Sequence, residues 1–103
     1  MAEAFSVEIE PEAVEDIQKA IDYYNHQKSG LGKRFFKTID KHLSFLKKHY
    51  LAFHVRYDKI RCMPVRNFPY MIHYQVKEKE KKVSIKAVFS TYENPDKWEE
   101  RGK

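Results

Sequence analysis

The segment that decides the fold of this chain reads Phe68-Pro69-Tyr70-Met71-Ile72-His73-Tyr74-Gln75-Val76. Aromatic and β-branched side chains occupy every second position, which is the pattern of a β-strand with one buried face. The apolar face is predicted to carry Tyr70, Ile72, Tyr74 and Val76, and the opposite face Met71, His73 and Gln75. This strand therefore needs a layer of secondary structure to cover its apolar side.

A second strand is predicted after the charged run Lys77–Lys82. Its alternating apolar positions are Val83, Ile85, Ala87 and Phe89, with Ser84, Lys86 and Ser90 between or after them. The charged run between the two strands suits a solvated turn, so the pair is predicted to form an antiparallel hairpin. The two strands together are expected to present one continuous apolar face.

Two helices upstream are predicted to cover that face. The first begins at Pro11, and its apolar stripe is Ala13, Val14, Ile17, Ala20, Ile21 and Tyr24. It ends in the break at residues 25–30, where Gly30 is predicted to be a left-handed C-cap. The second runs from about Leu31 to His49, with the stripe Leu31, Phe35, Ile39, Leu43 and Leu46. Such a short break predicts an antiparallel helical hairpin, in which Gly32 lets the helices approach closely.

The remaining segments complete an α+β architecture. A short strand is predicted near Phe5–Ile9, and one strand, or two short pieces broken near Asp58-Lys59, between residues 53 and 66. Pro64 marks a bulge, an edge or a strand end. A short C-terminal helix is predicted to start at Asn94 or Pro95, with Trp98 as its anchor.

The predicted order is therefore β-α-α-β-β-β, in which an N-terminal strand precedes an αα-hairpin packed on one face of a mostly antiparallel sheet, followed by the short C-terminal helix. Residues 1–103 are predicted to form a single domain. The far face of the sheet is predicted to carry Met71, His73, Lys86 and either Arg61 or Met63.

Composition indicates a globular protein of the cytoplasm. Hydrophobic residues make up 42% of the 103 residues, and no apolar run approaches the roughly 20 needed to span a bilayer. The single cysteine, Cys62, excludes an intrachain disulfide and fits a reducing compartment. Neighbouring Arg61 would lower the pKa of its thiol, whereas the alternative is an ordinary small apolar residue in a strand.

Positive charge is concentrated in one part of the chain. Residues 33–66 carry ten Lys or Arg and two Asp, whereas residues 1–32 carry two Lys and seven Asp or Glu. A cationic patch of this kind attracts a polyanion or an acidic protein. The alternative interpretation is a solvated helix face.

No motif for phosphate or metal binding is present in the sequence, and no cofactor is expected. Cleavage of RNA without a metal needs a base, an acid and cations for the transition state. The candidates for such a site are Arg61, Arg66 and His73. His73 is predicted to lie on the far face of the sheet, where a base role is geometrically possible and simple solvation is the alternative.

The order of several short patterns resembles the RelE/ParE toxin superfamily, and more narrowly its plasmid-stabilisation, ParE-like branch. These patterns are Pro11-x-Ala13-x-x-Asp16-Ile17, Tyr23-Tyr24, Gly30-Leu31-Gly32-x-x-Phe35, Ile60-Arg61, Phe68-Pro69-Tyr70-x-Ile72-x-Tyr74-x-Val76, Val83-x-Ile85-x-Ala87-Val88-Phe89 and Asn94-Pro95-x-x-Trp98. The resemblance covers about residues 5–101. It implies the architecture derived above and a type II toxin that is neutralised by a cognate antitoxin protein.

Two activities compete within that superfamily. RelE-type members cut messenger RNA on the ribosome, whereas ParE-type members inhibit DNA gyrase by binding. This sequence departs from the RelE pattern at three places. Met71 stands in place of an arginine in the central strand, and Ser90 and Thr91 stand where basic or histidine residues follow the last strand. The position of a C-terminal tyrosine is held by Trp98 or has no equivalent. The resemblance therefore implies a binding toxin rather than an enzyme. The alternatives are a ribosome-dependent endoribonuclease that uses Arg61, Arg66 and His73, and a homologue that has lost toxicity.

The expected partners are an acidic antitoxin, which would be partly disordered when free, and either gyrase or the ribosome with its messenger RNA. No membrane or small-molecule cofactor is expected. The antitoxin is predicted to cover the cationic patch or the far sheet face. The predicted binding residues are Lys33, Arg34, Lys37, Lys41, Arg56, Lys59, Arg61, Arg66, Met71, His73 and Lys86.

Overall fold

The computed structural model describes residues 4–92. The secondary structure elements are β1 (Ser6–Ile9), α1 (Pro11–Gln27), α2 (Leu31–Leu46), β2 (Val55–Tyr57), β3 (Ile60–Pro64), β4 (Tyr70–Lys77) and β5 (Lys82–Ser90). The predicted C-terminal helix and its anchor Trp98 lie outside the described residues. Within residues 4–92, no helix combines the length and the apolar character that crossing a bilayer requires.

The five strands form one sheet in the order β1-β5-β4-β3-β2. β1 pairs parallel with β5, and the other three pairs are antiparallel. The helical hairpin packs on one face of this sheet, so the predicted α+β architecture is confirmed. The break near Asp58-Lys59 is confirmed as well, because it separates β2 from β3, and Pro64 is the last residue of β3.

The helix-covered face carries the main hydrophobic core. Ile72 and Tyr74 of β4 are fully buried there, and Tyr70 and Val76 pack against the same cluster, as the alternation predicted. The ring of Phe35 from α2 lies with its centroid 5.1 Å from that of Tyr70. Burial of a large apolar side chain contributes about 1.5–3 kcal/mol, so these contacts hold the helices on the sheet.

The alternation predicted for β5 is wrong beyond Ile85. His73 pairs with Ala87 and Tyr74 pairs with Ile85, so Lys86 is an extra residue in a β-bulge. The bulge reverses the faces, and Val88 rather than Ala87 joins the core under the helices. Ala87 and Phe89 therefore lie on the far face with His73.

The connection between the two helices also differs from the prediction. Gly30 has the expected left-handed backbone, with φ of +88°, but it is the N-cap of α2, whereas Lys28 is the C-cap of α1. The close approach predicted at Gly32 is confirmed, because a Cβ atom there would lie 2.5 Å from the carbonyl oxygen of Ile21. Val14, predicted to lie in the buried stripe of α1, is 51% exposed.

Candidate functional site

The outer face of α2 is cationic. Its buried stripe consists of Gly32, Phe35, Ile39, Leu43 and Leu46. The helical periodicity places four exposed cations away from that stripe, namely Lys33, Arg34, Lys37 and Lys41. Within residues 4–92, no carboxylate forms an ion pair with these four side chains. Their charge is therefore available to an anionic partner. The same exposure is also expected of a helix face that is only solvated.

A cleft lies beside this face, between α2 and the loop that joins β3 to β4. Its volume is about 430 Å³. The residues that line it are Thr38, Lys41, His42, Phe45, Met63, Arg66 and Asn67. Two predicted binding residues, Lys41 and Arg66, are thus brought together from positions 25 residues apart in the sequence. We call this feature the α2 cleft.

One hydrogen bond joins the two walls of the α2 cleft. The backbone N–H of Arg66 donates to Nε2 of His42 over 3.0 Å, so the imidazole is an acceptor there and is neutral. Burial, together with the nearby charge of Arg66, lowers the pKa of His42 below its ordinary value. Asn67, the next residue of the loop, has a left-handed backbone with φ of +68°. The hydrogen bond from Arg66 to His42 holds the loop against the helix.

The other predicted cations are distributed differently. Arg56 and Lys59 are exposed in and beside the β2–β3 hairpin. Arg61 is half-buried, and its guanidinium donates a 2.6 Å hydrogen bond to the carbonyl oxygen of Phe53. Lys86 forms an ion pair with Glu10, at an N–O distance of 2.6 Å. The cationic surface therefore centres on α2, with a smaller extension at β2.

Neither Arg61 nor Met63 lies on the far face of the sheet, so that prediction is wrong. Arg61 pairs across the strands with Tyr74, and Met63 pairs with Ile72, whose side chains belong to the core under the helices. Directly paired residues point to the same side of a sheet, so Arg61 and Met63 share that side. Cys62 faces the other way, opposite His73.

His73 is fully buried on the far side of the sheet. Its Nδ1 lies 2.8 Å from the hydroxyl of Tyr57 and 3.4 Å from Sγ of Cys62, and the ring of Phe89 contacts it edge-on. Burial raises the pKa of the Cys62 thiol to about 11, outweighing the opposite effect of Arg56. Cys62 is accordingly a neutral core residue, and the thiolate that Arg61 would favour is not formed at neutral pH.

The three catalytic candidates are not brought together. Arg61 and Arg66 lie on the helix side of the sheet or at its edge, whereas His73 lies on the other side and is enclosed. Tyr74 is a core aromatic whose hydroxyl donates to the carbonyl oxygen of Tyr50. Burial raises the pKa of Tyr74 to about 12, which makes it a poor proton donor at neutral pH.

Several lining residues were not predicted from the sequence. Thr38, His42 and Phe45 lie between the cationic and the apolar stripes of α2, so neither stripe includes them. Their three- and four-residue spacing places them along one edge of the helix, and this is the signal that would have found them. A second cavity, of about 410 Å³, is lined by Tyr23, Tyr24, Pro69, Tyr70, Ser90 and Tyr92. Tyr23, Tyr24, Pro69 and Tyr70 belong to the sequence patterns quoted above, but those patterns do not predict that the four residues line one cavity.

Comparison with known families now identifies the chain. The family model of the ParE toxin of type II toxin–antitoxin systems matches residues 7–95. The chain belongs to the ParE toxin family. Most of the described structure lies within the matched residues, so this protein is a toxin component of a type II module. Among curated protein sequences, no match to this ParE-family chain is found.

Solved structures show the same fold. The chromosomal ParDE toxin–antitoxin system of P. aeruginosa aligns with a TM-score of 0.75 at 14% identity, covering 86% of this chain and 98% of that one. A mutant of the E. coli toxin RelE in the free state aligns with a TM-score of 0.66 at 17% identity, covering 86% and 85%. The toxin–antitoxin complex RelBE2 of Mycobacterium tuberculosis aligns with a TM-score of 0.63 at 17% identity, covering 87% and 93%.

Proposed function

We propose that this ParE-family protein arrests growth by binding a protein target, of which DNA gyrase is the first candidate, and that it carries out no RNA cleavage. The observation that carries the proposal is the position of His73. A general base has to reach the proton that it abstracts, and this imidazole is enclosed by Tyr57, Cys62 and Phe89. The cations Arg61 and Arg66 lie elsewhere, where they would not stabilise charge developing near His73.

We also propose that an acidic antitoxin neutralises the protein in the cytoplasm. Two of the similar structures are toxin–antitoxin systems or complexes, which supports a partner of this class. The cations of α2, which form no ion pair within the described part of the chain, supply the electrostatic complement. Charge complementarity of this kind mainly accelerates association and selects the partner, so formation of the complex should weaken as salt is raised.

A supercoiling assay with purified gyrase tests the proposed target. We expect added toxin to reduce supercoiling, and addition of the acidic antitoxin to restore it. A variant in which Lys33, Lys37 and Lys41 are replaced by Glu should escape the antitoxin. Unchanged supercoiling at a large excess of toxin would rule out gyrase as the target.

The endoribonuclease alternative has a separate readout. Messenger RNA on translating ribosomes is probed by toeprinting in the presence of the toxin and of the variant His73→Ala. A binding toxin leaves the transcripts intact in both reactions. New cleavage at the ribosomal site that disappears in the variant would establish the enzymatic alternative, and expression of the chain without effect on growth would establish the non-toxic one.

A further inference from the structure

The second cavity, of about 410 Å³, lies where the end of α1 meets the sheet. Its lining comes from three segments of the chain: the end of α1, the start of β4 and the end of β5. Four of the six lining residues are tyrosines, so we call it the tyrosine cavity. None of these residues lines the α2 cleft. The volume is within the range of pockets that hold small molecules, about 300–1,000 Å³.

The tyrosine rings meet at steep angles. Those of Tyr23 and Tyr24 lie edge to face, with centroids 5.2 Å apart and planes inclined by 76°. The rings of Tyr24 and Tyr70 are 6.0 Å apart and inclined by 60°. Tyr23 and Tyr92 are 55% and 87% exposed, so both keep ring surface open to a ligand. Several inclined rings around one open space form an aromatic cage, in which the negative ring faces attract a cation.

Hydrogen bonds fix the backbone on the sheet side of the tyrosine cavity. The N–H of Thr91 donates to the carbonyl oxygen of Pro69 over 2.8 Å, which closes the end of the β4–β5 pair. The N–H of Tyr92 donates to Oγ of Ser90 over 3.2 Å. A site whose backbone is already ordered loses less conformational entropy on binding, so a small ligand can occupy it.

The lining of the tyrosine cavity is polar but uncharged. Among residues 4–92, no Lys, Arg, Asp or Glu lines it. Burial, together with the nearby hydroxyls of Tyr70, Tyr23 and Tyr92, raises the pKa of Tyr24 to about 12, so its phenol is neutral at physiological pH. A phosphate or a carboxylate would find no cation to pair with in this lining. An anionic ligand such as a nucleic acid is therefore a poor fit.

The surroundings of the tyrosine cavity favour a positive ligand. Tyr23 and Tyr24 are in the last turns of α1, which ends at Gln27, and the carboxyl end of a helix carries partial negative charge. Residues 1–32, which include all of α1, carry seven Asp or Glu against two Lys. Lys19, one helical turn before Tyr23, offsets part of this field. The cationic face of the molecule is on α2.

We propose that the tyrosine cavity binds an organic cation of the methylated ammonium or guanidinium class. The cation lies against the rings of Tyr23, Tyr70 and Tyr92 and is held by cation–π attraction. A free quaternary amine and an arginine side chain of a peptide both carry this chemistry, so the test uses one of each. The site is independent of the proposed toxin activity, because none of its residues is needed for that proposal.

The first test titrates the whole ¹⁵N-labelled chain with choline and follows the amide signals by NMR. The uncharged control is 3,3-dimethylbutanol, in which a carbon atom replaces the nitrogen of choline. We expect saturable shifts at Tyr23, Ser90 and Tyr92, with a dissociation constant of about 1–10 mM for choline and at least about tenfold weaker binding of the control. Equal affinity for the two compounds would overturn the proposal, because binding would then be hydrophobic only.

The second test uses a short glycine-rich peptide with one arginine, and the same peptide with citrulline, which has the shape of arginine but no charge. Saturable binding of the arginine peptide alone would assign the site to a protein side chain, and binding of choline alone would assign it to a small amine. Either result supports the cation site. Absence of saturable shifts with both cations would overturn it.

Variants of the exposed rings separate cation–π attraction from simple contact. Tyr23→Leu and Tyr92→Leu keep an apolar side chain but remove the ring, and we expect each to weaken choline binding by about three- to tenfold. Tyr23→Phe keeps the ring and should retain most of the affinity. The matched control is Phe36→Leu, the same loss of an exposed ring on α2, which should change nothing. Circular dichroism shows that each variant is folded, and full affinity in both tyrosine-to-leucine variants would refute the cage.

Discussion

The backbone N–H of Gly32 in α2 donates a hydrogen bond to Oδ1 of Asn25 in α1, at a distance of 2.9 Å. Gly32 is in the first turn of α2, where backbone N–H groups have no partner within the helix. The N-cap residue Gly30 has no side chain to supply one, so a side chain from the preceding helix does so. This contact ties the start of α2 to the last turns of α1 within the αα-hairpin.

Substitutions at this contact should destabilise the protein in a defined order. Gly32→Ala places a Cβ atom 2.5 Å from a backbone oxygen, and we expect a loss of about 2–3 kcal/mol in the free energy of unfolding. Asn25→Ala removes the oxygen that caps α2, and we expect it to lower the free energy of unfolding by about 1 kcal/mol. Gly30→Ala is the control, because open space surrounds it and only its left-handed backbone is strained, at about 1–2 kcal/mol. Urea denaturation measures all three. An alanine tolerated better at position 32 than at position 30 would contradict the close packing.

The carboxylate of Asp16 in α1 supports the sheet beyond the end of β1. The pairing of β1 with β5 stops at Ile85, and the N–H of Val88 instead donates a 3.0 Å hydrogen bond to Oδ2 of Asp16. Asp16→Ala leaves that N–H without this acceptor, and we expect a loss of about 1–3 kcal/mol. Asp16→Asn keeps an oxygen and should lose less. Glu15→Ala, at the exposed neighbouring position, should change the unfolding free energy by no more than about 0.5 kcal/mol. Similar losses at positions 15 and 16 would point to the helix dipole instead.

The turn between β2 and β3 is strained because two residues with side chains adopt a left-handed backbone there. Asp58 and Lys59 both have positive φ, of 43° and 77°, which is the backbone of a two-residue hairpin that favours Asn-Gly. Replacing the pair by Asn-Gly should raise the unfolding free energy by about 1 kcal/mol. Lys79→Gly, in the other hairpin turn, should bring no such gain, because glycine there only adds freedom to the unfolded chain. Thermal denaturation distinguishes the two, and a gain at position 79 would contradict the explanation.

His42 should make stability depend on pH. The pKa of His42 is lowered in the folded protein, so the unfolded chain binds more protons below about pH 6.5. The free energy of unfolding should therefore fall as the pH is lowered from about 6.5 through the lowered pKa of the folded state, and it should be constant above this window. His42→Gln retains an acceptor for the N–H of Arg66 and should remove this part of the slope. Urea denaturation of the unmodified protein and of His42→Gln over that pH range provides the comparison. If the unfolding free energies of the two proteins changed in parallel with pH, His42 would not titrate as described.

Cys62 should be unreactive while the protein is folded. Its pKa of about 11, together with 4% exposure, leaves little thiolate and little access. We expect alkylation by iodoacetamide at about pH 8 to be at least about a hundredfold slower than in urea, where the thiol has its ordinary pKa. Mass spectrometry follows the reaction. Alkylation at the rate of a free thiol without urea would contradict the buried position.

The local pattern of the sequence determined where the helices and the central strands lie and, for β4 and α2, which side of each is buried. The alternation of residues 70–76 and the stripe of α2 depend only on the periods of a strand and a helix, so both were predictable without knowing what packs against them. The positive-φ glycine at position 30 was also predictable. Gly30 is the N-cap of α2 rather than the C-cap of α1 because the connection is so short that the capping positions of the two helices are only two residues apart.

Tertiary structure alone decided which side chains meet. The bulge at Lys86 arises in the pairing of β4 with β5, and it moves Ala87 and Phe89 to the side of His73. The hydrogen bond between His42 and Arg66 joins residues 24 positions apart in the sequence. The one between Asp16 and Val88 joins residues 72 positions apart. A periodic pattern records only which way each side chain points within its own element. Strand register and contacts between distant residues depend on the packing of the whole chain, so the enclosure of His73 and the α2 cleft could be found only in the folded protein.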